Sequence, residues 1–199
     1  MNRDGIFFLV AGPAGVGKTT LLKRLVAEER NLAKAVSVTT RAPRAGEVSG
    51  VAYYFWSEAD FLAAVGRDEF LEHALVHGNW YGTLSQFVLE RLNAGEDVVK
   101  DIDVQGVEQI RKLPDFAGRT ASVFVLPPSH DELLRRLAQR SSETVESLAV
   151  RLKTAEAEVL RAGEFDYIVV NGEIERALGD LKAIRIAEHC RASRQGKFQ

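Results

Sequence analysis

Residues 12 to 19, Gly12-Pro13-Ala14-Gly15-Val16-Gly17-Lys18-Thr19, satisfy the pattern G-x-x-x-x-G-K-[ST], and Thr20 follows. Each residue type has a reason to be there. Glycines at 12, 15 and 17 permit backbone conformations closed to other residues, so successive N–H groups can turn into one concavity beside the positive end of a helix. Such a concavity suits an anion. Lys18 adds a mobile full charge for the outer phosphates of a nucleotide, and the Thr19 hydroxyl is placed to ligate magnesium. A plain strand-to-helix linker has no need of Lys followed by Thr at this point.

Four further clusters carry chemistry. In residues 37–55, SVTTRAPRAGEVSGVAYYF, Arg41 and Arg44 lie near hydroxyls and two tyrosines, among them Tyr53. Guanidinium forks and phenols suit a phosphate, although a solvated loop is also rich in Arg and Gly. In residues 70–83, Glu72, Tyr81 and Thr83 appear. A carboxylate accepts paired hydrogen bonds from the N–H edge of guanine and a hydroxyl can donate to its carbonyl, but spacing alone does not establish that role. His73 and His77 read as packing residues rather than metal ligands. Asp101 and Asp103 follow the strand-like run DVVKDI, where a phosphate-loop enzyme needs an acid for the magnesium shell; a turn or capping aspartate is the alternative. Arg136, Arg140 and Arg151 surround a Ser/Glu-rich break at 141–147, and spacing does not decide between a solvated helix face and a mobile lid over a phosphoryl group.

The elements that must position these residues are legible from periodicity. Ile6 to Val10 form a continuous apolar run, the pattern of a strand buried on both faces. Leu21, Leu22, Leu25 and Val26 then share one helical stripe. Strand-like runs recur at 35–40, 97–102, 121–126 and 166–170. Helical patterns lie between them, one from a cap at Ser85 to Gly95 and one opened by a capping box of Ser129 and Glu132. This alternation predicts an α/β fold with a mainly parallel sheet and a nucleotide at the carboxyl ends of its strands. Residues 41–84 break the alternation and read as an inserted, substrate-facing subdomain.

The 199 residues suit one domain, with 46% hydrophobic and 27% charged residues and a formal net charge of -2. That balance gives no support to a nucleic-acid binder driven by bulk charge. The opening MNRDGIFFLV reads as too short and too quickly structured for a signal peptide, and no apolar run approaches the ~20 residues of a membrane span. The single Cys190 cannot form an internal disulfide, so a reducing cytoplasm is the expected location, with Cys190 a small apolar residue on the last helix. The basic segment 191–199 reads as a disordered tail. Nothing in the sequence sets an oligomeric state.

Taken together, GPAGVGKTTLL, SVTTRAPRAGEVSGVAYYF, FLEHALVHGNWYGT, DIDVQGV, LPPS and the arginines at 140 and 151 resemble the guanylate kinases in order and spacing, from about residue 5 to about residue 186. The resemblance implies a P-loop core, a GMP-binding subdomain at about 36–84 and a helical lid at about 127–155. It implies transfer from ATP to GMP with magnesium as cofactor. On the ATP side it implies the loop residues 12–20 and Asn171, with Thr19 and Asp101 near the metal. For the phosphate of GMP it implies Ser37, Arg41, Arg44, Tyr53 and Tyr81; for guanine it implies Glu72, Thr83 and Asp103. Lys18, Arg41, Arg136, Arg140 and Arg151 then supply catalytic charge. Two departures stand out: Lys100 occupies a usually apolar position, and QRSSE and NGE replace the usual Arg-Gly and Asn-Asp. Two rival functions remain at this level: a non-catalytic protein-binding module of the same fold, against which the complete phosphate loop argues, and a kinase for another phosphorylated acceptor.

Overall fold

The computed structural model describes residues 4–76, 78–139 and 145–195. The chain opens with β1 (Phe7–Ala11), α1 (Lys18–Glu28), β2 (Leu32–Lys34), β3 (Val38–Thr39) and β4 (Tyr54–Phe55). It continues through α2 (Glu58–Val65), β5 (Phe70–Val76), β6 (Asn79–Leu84), α3 (Ser85–Asn93), β7 (Asp97–Asp101) and α4 (Val104–Arg111). The last part holds β8 (Thr120–Leu126), α5 (His130–Gln139), α6 (Val145–Leu160), β9 (Tyr167–Val170) and α7 (Ile174–Cys190).

Five strands form a parallel sheet in the order β2-β7-β1-β8-β9. The central strand β1 is buried along its whole length, as its unbroken apolar run requires. Its alternation divides the core in two. Ile6, Phe8 and Val10 pack with Leu21, Leu22 and Leu25 of α1 and with Ala177 and Leu178 of α7. Phe7, Leu9 and Ala11 pack on the other face with Val88 and Leu92 of α3 and Ile110 of α4. Because β7 and β8 flank β1, the chain reverses its direction of winding there, and the crevice at the strands' carboxyl ends opens beside residues 12–17.

A second sheet, order β4-β3-β6-β5, mixes a parallel β3/β4 pair with antiparallel β3/β6 and β5/β6 pairs. One of its faces packs on α2 through a stacked aromatic group in which Phe61 of α2 lies 4.4 Å from Phe70 and 5.8 Å from Trp80, centroid to centroid. His73 meets Trp80 in the same group, the packing role expected of it. His77 lies outside the described residues.

Several local expectations need correction. The run at 35–40 yields only the two-residue β3, which belongs to the second sheet, while Leu32–Lys34 supplies the edge strand of the first. The chain changes sheets here: the Ala35 N–H still bonds Val99 O, whereas the Thr39 hydroxyl donates to Trp80 O. Ser85 is the first helical residue of α3 rather than its cap, and both its N–H and its hydroxyl bond Glu69 O, tying the helix to the start of β5. The capping box at Ser129 is half made. Ser129 Oγ accepts from the Glu132 N–H at 3.2 Å, but the Glu132 carboxylate pairs with Arg135 and Arg136. Cys190 is exposed at the end of α7, not packed. Residues 192–194 form a 3-10 turn in which Arg194 donates to Thr120 O at 2.8 Å and to Glu188 Oε2 at 2.7 Å. Glu188 is fully buried and needs that cation, so residues 191–195 are anchored, contrary to the expectation of a disordered tail. Residues 196–199 lie outside the described residues.

Candidate active site

The phosphate loop meets the physical requirements that its sequence sets. Gly12, Gly15 and Gly17 have φ of 144°, 83° and 99°. At Gly12 the reason is also steric, since an added Cβ would stand 2.3 Å from Val125 O. Helix α1 starts from Gly17 with no side-chain cap and no acidic residue in its first turn. Its N–H groups and dipole are therefore left to an external anion. Pro13 and Val16 are buried beneath the loop, while Ala14, Thr19 and Thr20 are exposed. Lys18 Nζ donates to Gly12 O at 2.5 Å and lies 3.9 Å from Asp101 Oδ1.

The underside of the loop is held by two side chains from distant parts of the chain. Asn171 Nδ2 donates to Val16 O at 2.7 Å, and Arg136 donates to Val16 O at 3.2 Å and Asn171 O at 3.1 Å. Asn171 is buried. Asn171, expected on the ATP side, and Arg136, expected among the catalytic charges, thus meet at the carbonyl of Val16 in the phosphate loop. Arg140 and residues 141–144 of the expected break lie outside the described residues, while residues 145–147 belong to α6. Arg151 lies on α6.

A cleft of about 640 Å³ runs from Gly12, Lys18 and Thr19 past Asp101 and Asp103 to Ser37, Tyr53, Glu72 and Tyr81. The two sheets supply its two ends. Strand register places Asp101 beside Val10, two residues before the loop begins. Asp103 caps α4, its Oδ1 accepting from the Gly106 N–H at 2.7 Å, so the capping alternative is realised in a residue that also faces the cleft.

Glu72 and Thr83 face one another across the β5/β6 pair. Thr83 is buried and donates to Glu72 Oε1 at 2.5 Å, which turns the carboxylate edge toward the cleft. Arg41 is doubly bonded to Glu47, both contacts at 2.9 Å, and its guanidinium lies 5.5 Å from the Tyr53 ring centroid. The Arg44 N–H and the Arg41 fork hold the Glu47 carboxyl below its ordinary pKa. Burial pushes the Tyr53 phenol pKa up. Arg44 is exposed and contributes its backbone N–H, to Glu47; its side chain is outside the cleft wall.

A model of the guanylate kinase family matches residues 6–188. The chain belongs to the guanylate kinase family. Relatives of similar length agree: it is 45% identical to the guanylate kinase of Dechloromonas aromatica over 90% of this chain and 88% of that one. It is 42% identical to the guanylate kinase of Geobacter sulfurreducens over 98% and 94%. The crystal structure of guanylate kinase from Anaplasma phagocytophilum superposes with a TM-score of 0.79 at 31% identity, covering 98% of this chain and 91% of that one. The P-loop α/β fold expected from the sequence is thereby shown.

Within this family frame, the structure adds cleft residues that sequence patterns did not single out. Glu47 became visible only through its pairing with Arg41. Lys34 lines the cleft from the edge strand, and Glu158 reaches it from α6. Burial raises the Glu158 carboxyl pKa, opposed by Lys18. Lys100, flagged in the sequence as a charge on a buried strand, is 3% exposed and donates to Ser37 Oγ. Burial lowers its pKa to about 8, opposed by Glu72 and Asp101. Among the described residues no helix is long and apolar enough to cross a membrane, and no group of three or more His, Cys, Asp and Glu could hold a metal ion by itself.

Proposed function

We propose that the cleft seats ATP phosphates on residues 12–20 and GMP between the second sheet and β7, and that it transfers the γ-phosphoryl group of ATP to GMP, and to dGMP, giving GDP and ADP. The observation that carries this is the continuity of one cleft from Lys18 to Glu72, with a phosphate seat at one end and a carboxylate–hydroxyl pair at the other. A non-catalytic module has no use for the first end. An acceptor lacking an N–H edge has no use for the second.

The residues divide the task by charge. Loop N–H groups and Lys18 hold the donor phosphates. Arg41 exchanges one anionic fork partner, Glu47, for another, the phosphate of GMP, with Tyr53 and Tyr81 donating from the side. Glu72 accepts from the guanine edge, with Thr83 fixing its orientation and Asp103 beside it. The acceptor oxygen is already anionic, so no strong base is required, and alignment with charge neutralisation lowers the barrier. Thr19 and Asp101 offer hard oxygen donors at one end of the cleft, a set that fits magnesium completed by phosphates and water. Bound there, magnesium would neutralise charge on the phosphates. Arg136 and Asn171 act by holding the loop backbone, while Arg140 and Arg151 are assigned to closure over the phosphates. Both substrates are cytoplasmic metabolites, and the exposed lone thiol suits that reducing compartment.

ADP release with ATP and magnesium tests the proposal, comparing GMP with AMP, UMP, CMP and no acceptor. Release is expected to need GMP and to vanish in Lys18→Ala. Glu72→Ala is expected to raise KM for GMP at least tenfold with KM for ATP nearly unchanged, since it removes a charged hydrogen-bond acceptor worth about 1.5–3 kcal/mol. Equal stimulation by AMP in the wild-type protein would overturn the base assignment.

A further inference from the structure

Lys100 is a charged residue of the cleft wall to which the proposed reaction has assigned no task. On β7 the side chains alternate between the two faces of the sheet. Val99 packs on the α1 side, while Val98, and with it Lys100, points to the side of Leu71 on β5 and Ala35. The lysine therefore reaches away from the phosphate loop and toward the acceptor end. Lys100, 3% exposed as a residue, lines the cleft together with Ser37 and Glu72, and its ammonium donates to Ser37 Oγ. The charges around it come from three elements: Glu72 on β5, Asp101 on β7 and Lys34 on β2. A desolvated lysine is costly, and a methionine of similar length would fill the space without that cost.

We propose that Lys100 is a positioning residue for the acceptor nucleotide, fixing the Ser37 hydroxyl so that it donates to an oxygen of GMP. An ammonium has three donors and no acceptor, so Ser37 Oγ must accept from it. The single hydroxyl proton of Ser37 is then directed elsewhere, and the open side of Ser37 is the cleft. A serine without such a neighbour rotates and presents donor or lone pair indifferently. With Lys100 behind it, Ser37 presents a donor of set direction, and the positive charge strengthens that donor by polarising it. The inference rests on the reading of this end of the cleft as the GMP seat.

Calorimetric titration of GMP at pH 7 without ATP, alongside thermal melting, tests it with Lys100→Met, Ser37→Ala, the double variant and Glu72→Ala. Lys100→Met and Ser37→Ala are each expected to weaken GMP binding about tenfold, with the double variant no weaker than either single one, because they remove one linked interaction. ATP affinity is expected to stay within about twofold, and Lys100→Met is expected to melt no lower than the wild type, since a buried charge gives way to an apolar side chain. A structural role would instead move stability and GMP affinity down together, and that result overturns the proposal. Should Lys100→Met fail to fold, Ser37→Ala decides alone: wild-type GMP affinity in that variant overturns it. Loss in Glu72→Ala with none in Lys100→Met rejects the role of Lys100 and leaves the GMP seat standing. Wild-type affinity in both rejects the seat itself.

Discussion

The glycines of the phosphate loop differ in why they are glycines. Gly15 combines a φ of 83° with ordinary van der Waals room for a Cβ, so the backbone conformation is the main constraint. Gly12 has both a φ of 144° and Val125 O at 2.3 Å from the site of a Cβ. Gly17 has a φ of 99° and would press Asn171 Nδ2, the group that holds Val16 O. Strain of this kind costs about 1–3 kcal/mol per residue before the clash is counted. Gly12→Ala is therefore expected to lose at least about 2 kcal/mol in urea denaturation and to bind ATP far more weakly than its remaining stability accounts for. Gly15→Ala is expected to lose less stability.

Elements position groups by their ends, and α4 shows two roles resting on one side chain. Asp103 caps the helix through Oδ1 and lines the cleft where guanine is proposed to lie. Asparagine caps a helix as well as aspartate does, while alanine forfeits about 1 kcal/mol. Asp103→Asn should therefore melt like the wild type and still raise KM for GMP. Asp103→Ala should show the same KM defect together with lowered stability, a separation that steady-state kinetics and thermal melting read directly. Helix α5 works differently, with Glu132 orienting Arg136 from below at 2.6 Å so that the guanidinium reaches Val16 O.

Across the whole molecule, one buried carboxylate joins parts of the chain that the sequence keeps far apart. Asp97, at the start of β7, accepts from the Ile6 N–H at 2.9 Å and from Arg185 Nε of α7 at 2.6 Å, with His189 Nε2 at 2.8 Å. Arg185 in turn pairs with Glu29 at the end of α1. The last helix is thus fastened to the residue just before the first strand, at the amino ends of the strands and so at the end of the sheet opposite the cleft. Removing one partner of a buried charged network costs about 3–5 kcal/mol. Asp97→Ala is expected to lose stability in that range, read by urea denaturation, while KM for GMP in the folded fraction stays near the wild-type value, because no member of the network lines the cleft.

The sequence by itself determined the phosphate loop, the alternating α/β order and the family, because these depend on neighbours in the chain. A left-handed glycine, a buried strand and an amphipathic stripe are each specified within about twenty residues. Even the anomaly at Lys100 was visible as a charge in an apolar run. Tertiary structure alone decided which side chains meet. The pairing of Arg41 with Glu47, the grip of Asn171 and Arg136 on Val16, and the bond from Lys100 to Ser37 join atoms whose separation in sequence says nothing of their geometry. The same holds for the tail, whose basic composition suggested disorder until the buried Glu188 supplied Arg194 with a partner. Local pattern sets what a residue can do; the fold sets which partner each donor and charge finds, since an unpaired buried polar group is too costly to leave.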